Sequence, residues 1–138
     1  MKSDLYTLMR ERGLDALLIF ASHSHSAALD YLTGGVRITG GIAVKLVGRA
    51  PVLIVNGMEV AEAAASGLEV YDYHTMGLED ARKATEGDLK AAQILFWGGC
   101  LGRLGLESGT VGIYGTTDIN EVLAIIDGLR EKFPQYTF

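Results

Sequence analysis

A nearly continuous apolar run from Leu14 to Phe20, broken only by Asp15, constrains the fold more than any other part of this chain. Such a run is typical of a strand covered on both faces, because neither set of its side chains can be left in water. The run therefore predicts a central strand with helices packed above and below it.

Helical signals flank this strand on both sides. Leu5, Leu8 and Met9 are spaced to share one face of a helix, and Gly13 can take the left-handed conformation that ends it. A polar loop at residues 22–26, with serines able to cap a helix, follows the strand. A second helix is expected next, ending at Gly34-Gly35, and its apolar positions are Ala27, Ala28, Tyr31 and Leu32.

The next segments predict a hairpin and a capped helix. Two β-rich runs, 41–47 and 51–55, are joined by only three residues, which favours an antiparallel pair. Asn56 followed by Glu59 has the spacing of a capping box. The buried stripe expected for that helix is Met58, Ala61 and Ala65.

The C-terminal half repeats the alternation of helix and strand. Thr85 and Asp88 suggest another capping box, and Gly98-Gly99 is expected to break or kink the helix that follows. A strand is predicted at residues 110–114, and Thr117 is the expected cap of a last helix. The predicted buried stripe of that helix is Ile119, Val122, Leu123, Ile126, Leu129 and Phe133.

Together these elements predict an α/β fold: a three-layer domain with a mixed sheet of about five to six strands and helices on both faces. Residues 1–138 are expected to form a single domain. A new β-type run begins at Tyr136, which suggests a domain boundary there.

Composition narrows the functional classes. With 12 basic and 17 acidic residues and a net charge of −5, the chain has no basic face for nucleic acid. No apolar run is long enough to span a membrane and no signal peptide is visible, so the cytoplasm is the expected compartment. A lone cysteine, Cys100, excludes a disulfide framework within the chain.

Motifs for catalysis are weak. The glycine-rich stretches lack the Lys-Ser/Thr of a phosphate loop and the strand–helix context of a dinucleotide site, so turns explain them better. Cys100 has no basic neighbour to activate it and is expected to be inert. His23 and His25 could hold a metal only with a third ligand, and a solvated loop is the favoured interpretation because Asp30 is too far along the chain.

Three segments, in this order and spacing, carry a family resemblance. They are Arg10-Glu11-Arg12-Gly13-Leu14-Asp15-Ala16-Leu17-Leu18, then Tyr31-Leu32-Thr33-Gly34, then the helix start Met58-Glu59. The chain resembles, over nearly its whole length, the N-terminal domain of the creatinase/prolidase metallopeptidases, the Xaa-Pro aminopeptidase and dipeptidase group. Relatives often carry Asn where this chain has Ala28.

The resemblance implies a non-catalytic role for this chain. Similar proteins continue into a pita-bread catalytic domain, in which two divalent metal ions (Mn, Co or Zn) activate a hydroxide. No segment here matches that domain, so no catalytic residue, metal or cofactor is expected in this chain. The expected partners are its own C-terminal catalytic domain and a second copy in a homodimer, with no nucleic acid and no membrane.

In relatives the loop after the first strand tends to face the substrate cleft. The candidate cleft residues are therefore His23, His25 and Tyr31. The substrate stays open between an Xaa-Pro peptide, creatine and another amide. The alternative function is a stand-alone or scaffold-type binding domain of the same fold, without hydrolase activity.

Overall fold

The computed structural model of this protein describes residues 2–21, 26–115 and 119–138. Helices and strands alternate along it as the sequence predicts. The helices are α1 (Lys2–Glu11), α2 (Ala27–Thr33), α3 (Val60–Ala64), α4 (Leu78–Ala84), α5 (Leu89–Arg103) and α6 (Ile119–Lys132), with a short 3-10 turn at Gly57–Glu59. The strands are β1 (Ala16–Ala21), β2 (Gly41–Leu46), β3 (Val52–Val55), β4 (Glu69–Asp72), β5 (Gly109–Tyr114) and β6 (Tyr136–Thr137).

Within these ranges the strands form one six-stranded sheet in the order β4-β3-β2-β1-β5-β6. The strands β2 and β3 pair antiparallel, which confirms the predicted hairpin, and β2 is also antiparallel to β1. The pairs β1–β5, β3–β4 and β5–β6 are parallel. All strands except β2 therefore point the same way, and the predicted mixed sheet is confirmed.

Helices cover both faces of the sheet. Side chains alternate along β1, so that Leu18 enters one buried cluster while Leu17 and Ile19 enter the other. The cluster around Leu18 is closed by α4, α5 and α6. The cluster around Leu17 is closed by α1, α2 and α3. This arrangement confirms the three-layer α/β prediction.

Glycine at residue 98 does not break the helix, contrary to the prediction. Helix α5 continues through Gly98 and Gly99 to Arg103. A methyl group at Gly98 would lie 2.1 Å from a ring carbon of Phe133, whereas one at Gly99 would meet open space. Gly98 is therefore the place where the end of α6 and the turn after it press against α5, and packing rather than helix termination explains it.

Two predicted buried stripes are only partly correct or wrong: that of α6 is correct at Leu129, and that of α3 is wrong. In α6, Leu129 and Ile125 are buried, but Ile119 and Leu123 are exposed, because the helix turns its Ile125 face rather than its Leu123 face to the sheet. Met58 is 89% exposed because it lies in the 3-10 turn before α3. The buried residue of α3 is Ala63, rather than Ala61 or Ala65.

Capping was predicted correctly in part. Asp88 accepts hydrogen bonds from the main-chain N–H groups of Lys90 and Ala91, both at 3.0 Å, and begins α5. Thr85 instead ends α4. The predicted cap at Thr117 lies outside the described residues.

Candidate functional site: the edge after strand β1 and the Tyr31 groove

The ends of β1 and β5 lie side by side at one edge of the sheet. These strands are parallel neighbours, and Ile19 pairs with Tyr114. The helix after β1 packs on one face of the sheet and the helix after β5 packs on the other. Such a switch in helix direction between adjacent parallel strands is where open α/β sheets most often bind ligands. The geometry therefore marks this edge as the candidate site.

The main chain is closely packed at this edge. Gly115, directly after β5, has a positive φ of +84°, and a Cβ there would lie 2.3 Å from the carbonyl oxygen of Phe20. Glycine is needed because a side chain would both strain the backbone and collide with β1. The two strand ends are thus held together before their helices diverge.

Tyr31 is the candidate residue that the structure describes. Helix α2 begins at Ser26, whose Oγ accepts a hydrogen bond from Leu29 N at 3.3 Å. It ends at Gly34, which has a left-handed φ of 75° and donates its N–H to Asp30 O. Between these caps the helix buries Leu32 and leaves Tyr31 49% exposed. His23 and His25 lie outside the described residues.

Tyr31 lines an apolar groove of about 220 Å³ between α1, α2 and β5. Met9 and Ile19 are buried residues of this groove, and Arg12 supplies a cation among otherwise uncharged lining residues. The remaining lining residues are Leu5, Leu8, Leu14, Leu17, Ala28, Leu32 and Tyr114. Sequence patterns could not reveal this groove, because β5 is far along the chain from α1 and α2.

The groove has the chemistry of an apolar binding surface. Leu8, Tyr31 and Tyr114 leave a large part of their apolar side chains in water. Exposed apolar groups that share a concave surface favour contact with an apolar partner group. The Arg12 guanidinium donates to Leu8 O at 3.4 Å, which holds a positive charge near the end of α1.

Glu59 makes a contact that the sequence did not predict. Its Oε1 accepts hydrogen bonds from Thr39 N at 2.5 Å and from Thr39 Oγ1 at 2.7 Å. It therefore ties the segment before β2 to the turn after β3, rather than completing a capping box with Asn56. Asn56 itself caps that turn by accepting a hydrogen bond from Met58 N at 3.1 Å.

An aromatic cluster lies on the opposite face of β1. Trp97 packs edge-on against Phe20 at 5.4 Å and against Tyr73 at 6.1 Å, and Phe96 lies 4.7 Å from it. Phe96 and Trp97 are buried, as predicted for core aromatic residues. Burial, with a smaller contribution from the charge of Glu59, raises the pKa of Tyr73 to about 12, so its hydroxyl stays protonated at neutral pH.

Within the described residues, the lone cysteine is shielded and the possible metal ligands are not clustered. Cys100 is completely buried, and that burial raises the pKa of its thiol to about 12, which agrees with the inert role expected from the sequence. No group of three or more His, Cys, Asp or Glu side chains is arranged to hold a metal ion among residues 2–21, 26–115 and 119–138. Across the same ranges, no helix has both the length and the apolar character needed to cross a membrane.

Comparison with known proteins identifies the family. The sequence model of the creatinase/prolidase N-terminal domain family matches residues 3–132 of this chain. This chain, a mixed α/β sheet covered on both faces, therefore belongs to the creatinase/prolidase N-terminal domain family. No curated protein sequence matches it.

Solved structures share the fold at low sequence identity. An X-Pro aminopeptidase from Thermotoga maritima has a TM-score of 0.63 and 18% identity, over 100% of this chain and 32% of that one. A prolidase from Pyrococcus furiosus has a TM-score of 0.58 and 17% identity, over 100% of this chain and 34% of that one. This chain thus spans about a third of both proteins.

One similar structure has nearly the same extent as this chain. It is the creatinase/prolidase N-terminal domain of an X-Pro dipeptidase from Streptococcus pyogenes, with a TM-score of 0.54 and 17% identity. The match covers 97% of this chain and 88% of that one.

Proposed function

We propose that residues 1–138 form the non-catalytic N-terminal domain of an Xaa-Pro peptidase-like metallohydrolase, contributing dimer contacts and a wall of the substrate cleft. The observation that carries the proposal is the family match over residues 3–132. The similar proteins from Thermotoga maritima and Pyrococcus furiosus are about three times as long as this chain. This length is consistent with a separate catalytic domain in the parent protein.

The Tyr31 groove supports the role as a cleft wall. It opens between α2 and the end of β5, beside the edge at which the helices diverge. Its apolar lining suits the side chain that precedes proline in a peptide, or the proline ring itself, since neither offers many polar groups. We assign Tyr31 to this contact, and His23 and His25, from the segment between β1 and α2, stay candidates for it.

Metal chemistry belongs, in this proposal, to the catalytic domain. Two divalent ions close together need several hard oxygen ligands around a bridging hydroxide. The described residues of this chain offer no such set. No catalytic step is therefore assigned to this chain, and the metal ions (Mn, Co or Zn) are those of the parent enzyme.

The outer face of α6 supports the proposed dimer contact. Ile119 and Leu123 lie one helical turn apart and are more than half exposed. Exposed aliphatic side chains at this spacing are typical of a helix face that packs against a partner. Light scattering of the parent protein tests this role. Leu123→Glu should shift the protein from dimer towards monomer. If the variant stays dimeric, α6 is not part of the interface.

The test of the main proposal compares this chain with its parent protein on Xaa-Pro peptides. The parent should hydrolyse them with added manganese, cobalt or zinc, whereas residues 1–138 alone should not. Metal-dependent turnover that follows the isolated chain through its column peak would refute the proposal. A parent protein that binds peptides without hydrolysing them would instead favour the scaffold-type binding domain.

The cleft role of Tyr31 has its own test in the parent enzyme. Tyr31→Ala should raise KM severalfold and leave the thermal midpoint nearly unchanged, because half of the side chain is already exposed. Tyr6→Ala is the matched control, since Tyr6 is a partly exposed tyrosine that does not line the groove. Equal kinetics for both variants would remove the groove from the cleft.

A further inference from the structure

A second cavity, of about 350 Å³, lies on the opposite face of the sheet from the Tyr31 groove. It opens beside the β2–β3 hairpin, the start of β4 and the end of α5, and it shares no lining residue with the groove. Its volume falls in the lower range of small-molecule sites. The cavity is therefore a candidate ligand site that is separate from the proposed cleft.

Arg49 is held in place at one side of this cavity. Its Nη1 donates a hydrogen bond to Leu104 O at 2.6 Å. The hairpin turn that carries Arg49 is fixed from the other face of the sheet, because the buried Lys45 donates its ammonium hydrogens to the carbonyl oxygens of Leu46 and Arg49. An arginine so fixed loses little freedom on binding an anion.

Opposite charges line the same cavity. Arg103 contributes a second guanidinium, which is weakly paired with Asp80 at 3.7 Å. Glu69 contributes a carboxylate, and its Oε1 accepts a hydrogen bond from the hydroxyl of Tyr71 at 2.5 Å. That bond restrains one carboxylate oxygen and leaves the other able to accept from a ligand cation.

The floor of the cavity is apolar. Val44 and Leu46 of β2 and Val52 of β3 line it, and Leu104 lies at the end of α5. Guanidinium groups, a carboxylate and an aliphatic floor in one small cavity match the parts of a zwitterion. We propose that this cavity binds a free aliphatic amino acid, with its carboxylate on Arg49 and Arg103, its ammonium on Glu69 and its side chain on Val52 and Leu104, two apolar lining residues that are not fully buried.

The probe is L-leucine, compared with 4-methylpentanoate, which lacks the ammonium group, and with 3-methylbutylamine, which lacks the carboxylate. NMR titration of this chain at neutral pH follows the amide signals of Leu46, Tyr71 and Leu104. L-leucine should give saturable shifts and should bind more tightly than either analogue. Losing a hydrogen bond to a charged group should weaken binding roughly tenfold or more.

Substitutions test the positive and the negative side of the cavity separately. Arg49→Gln should weaken L-leucine roughly tenfold, with Arg103→Gln as a second variant should the first lose its fold. Arg130→Gln is the matched control, because Arg130 also donates to a main-chain carbonyl, that of Phe138 at 2.8 Å, away from the cavity. Glu69→Gln should abolish the preference for L-leucine over 4-methylpentanoate.

Two results of the titrations would contradict the proposal. Equal binding of L-leucine and 4-methylpentanoate by the unmodified chain would reduce the site to a simple anion site and overturn the proposal. No saturable shift with any of the three probes would overturn it altogether. Because the assay measures binding to residues 1–138, its result does not depend on whether the parent protein is a peptidase.

Discussion

Two leucines of α6 allow the same substitution to be compared on its buried and exposed faces. Leu129 is completely buried in the cluster formed with α5, whereas Leu123 is 53% exposed. Leu→Ala in a core costs roughly 2–5 kcal/mol, from lost burial and the cavity left behind. A domain has only about 5–15 kcal/mol of stability in total. At roughly 4 °C per kcal/mol for this size, Leu129→Ala should lower the thermal midpoint by about 8–20 °C.

Leu123→Ala should cost less than about 1 kcal/mol, because about half of that side chain is already in water. Both variants make the same chemical change in the same helix, so helix propensity cancels between them. Thermal and urea unfolding followed by circular dichroism measures the two costs. Equal losses of stability, or a larger loss for Leu123→Ala, would refute the orientation of α6 described above.

A second matched pair tests the contact between α5 and Phe133. Gly98→Ala should destabilise the fold by roughly 1–3 kcal/mol in urea unfolding, because its methyl group would overlap the Phe133 ring, whereas Gly99→Ala should be neutral or stabilising. A third prediction concerns Cys100, whose pKa is raised from 9.0 to about 12. Since the unfolded thiol ionises first, stability should fall between pH 9 and 12, and this slope should be shallower in Cys100→Ala. Equal costs at the two glycines, or an unchanged slope, would contradict these predictions.

Local signals predicted the elements and their order well. The apolar run after Leu14 and the caps at Gly13, Ser26 and Gly34 depend on neighbours in the sequence, and the structure confirms them. The antiparallel hairpin is also confirmed, although its connection spans residues 47–51 rather than 48–50. Their success has a physical reason, because caps and tight turns are formed by residues within a few positions of one another.

The errors concern contacts between distant residues. Apolar residues of α6 form two overlapping stripes, one through Leu123 and one through Ile125, and only packing on α5 selects the second. The local sequence suggests that Gly98 breaks a helix, whereas glycine is needed there because the ring of Phe133, in the turn after α6, packs against it.

The candidate site shows the same limit. Tyr31 was selected by family resemblance, but its neighbours in the groove come from α1 and β5, which only the folded sheet brings together. The cavity beside Arg49 likewise joins β2, β4 and the end of α5.

The parallel pairing of β1 with β5 has a consequence for the nascent chain. β1 leaves the ribosome before β2, which can pair with one of its edges soon afterwards. Its other edge has no native partner until residues 109–114 have been made. During that interval a strongly apolar strand keeps unpaired N–H and C=O groups, which is the condition that invites pairing with other chains. The last quarter of the domain thus acts as protection for its first strand, and the order of synthesis leaves that strand exposed longest.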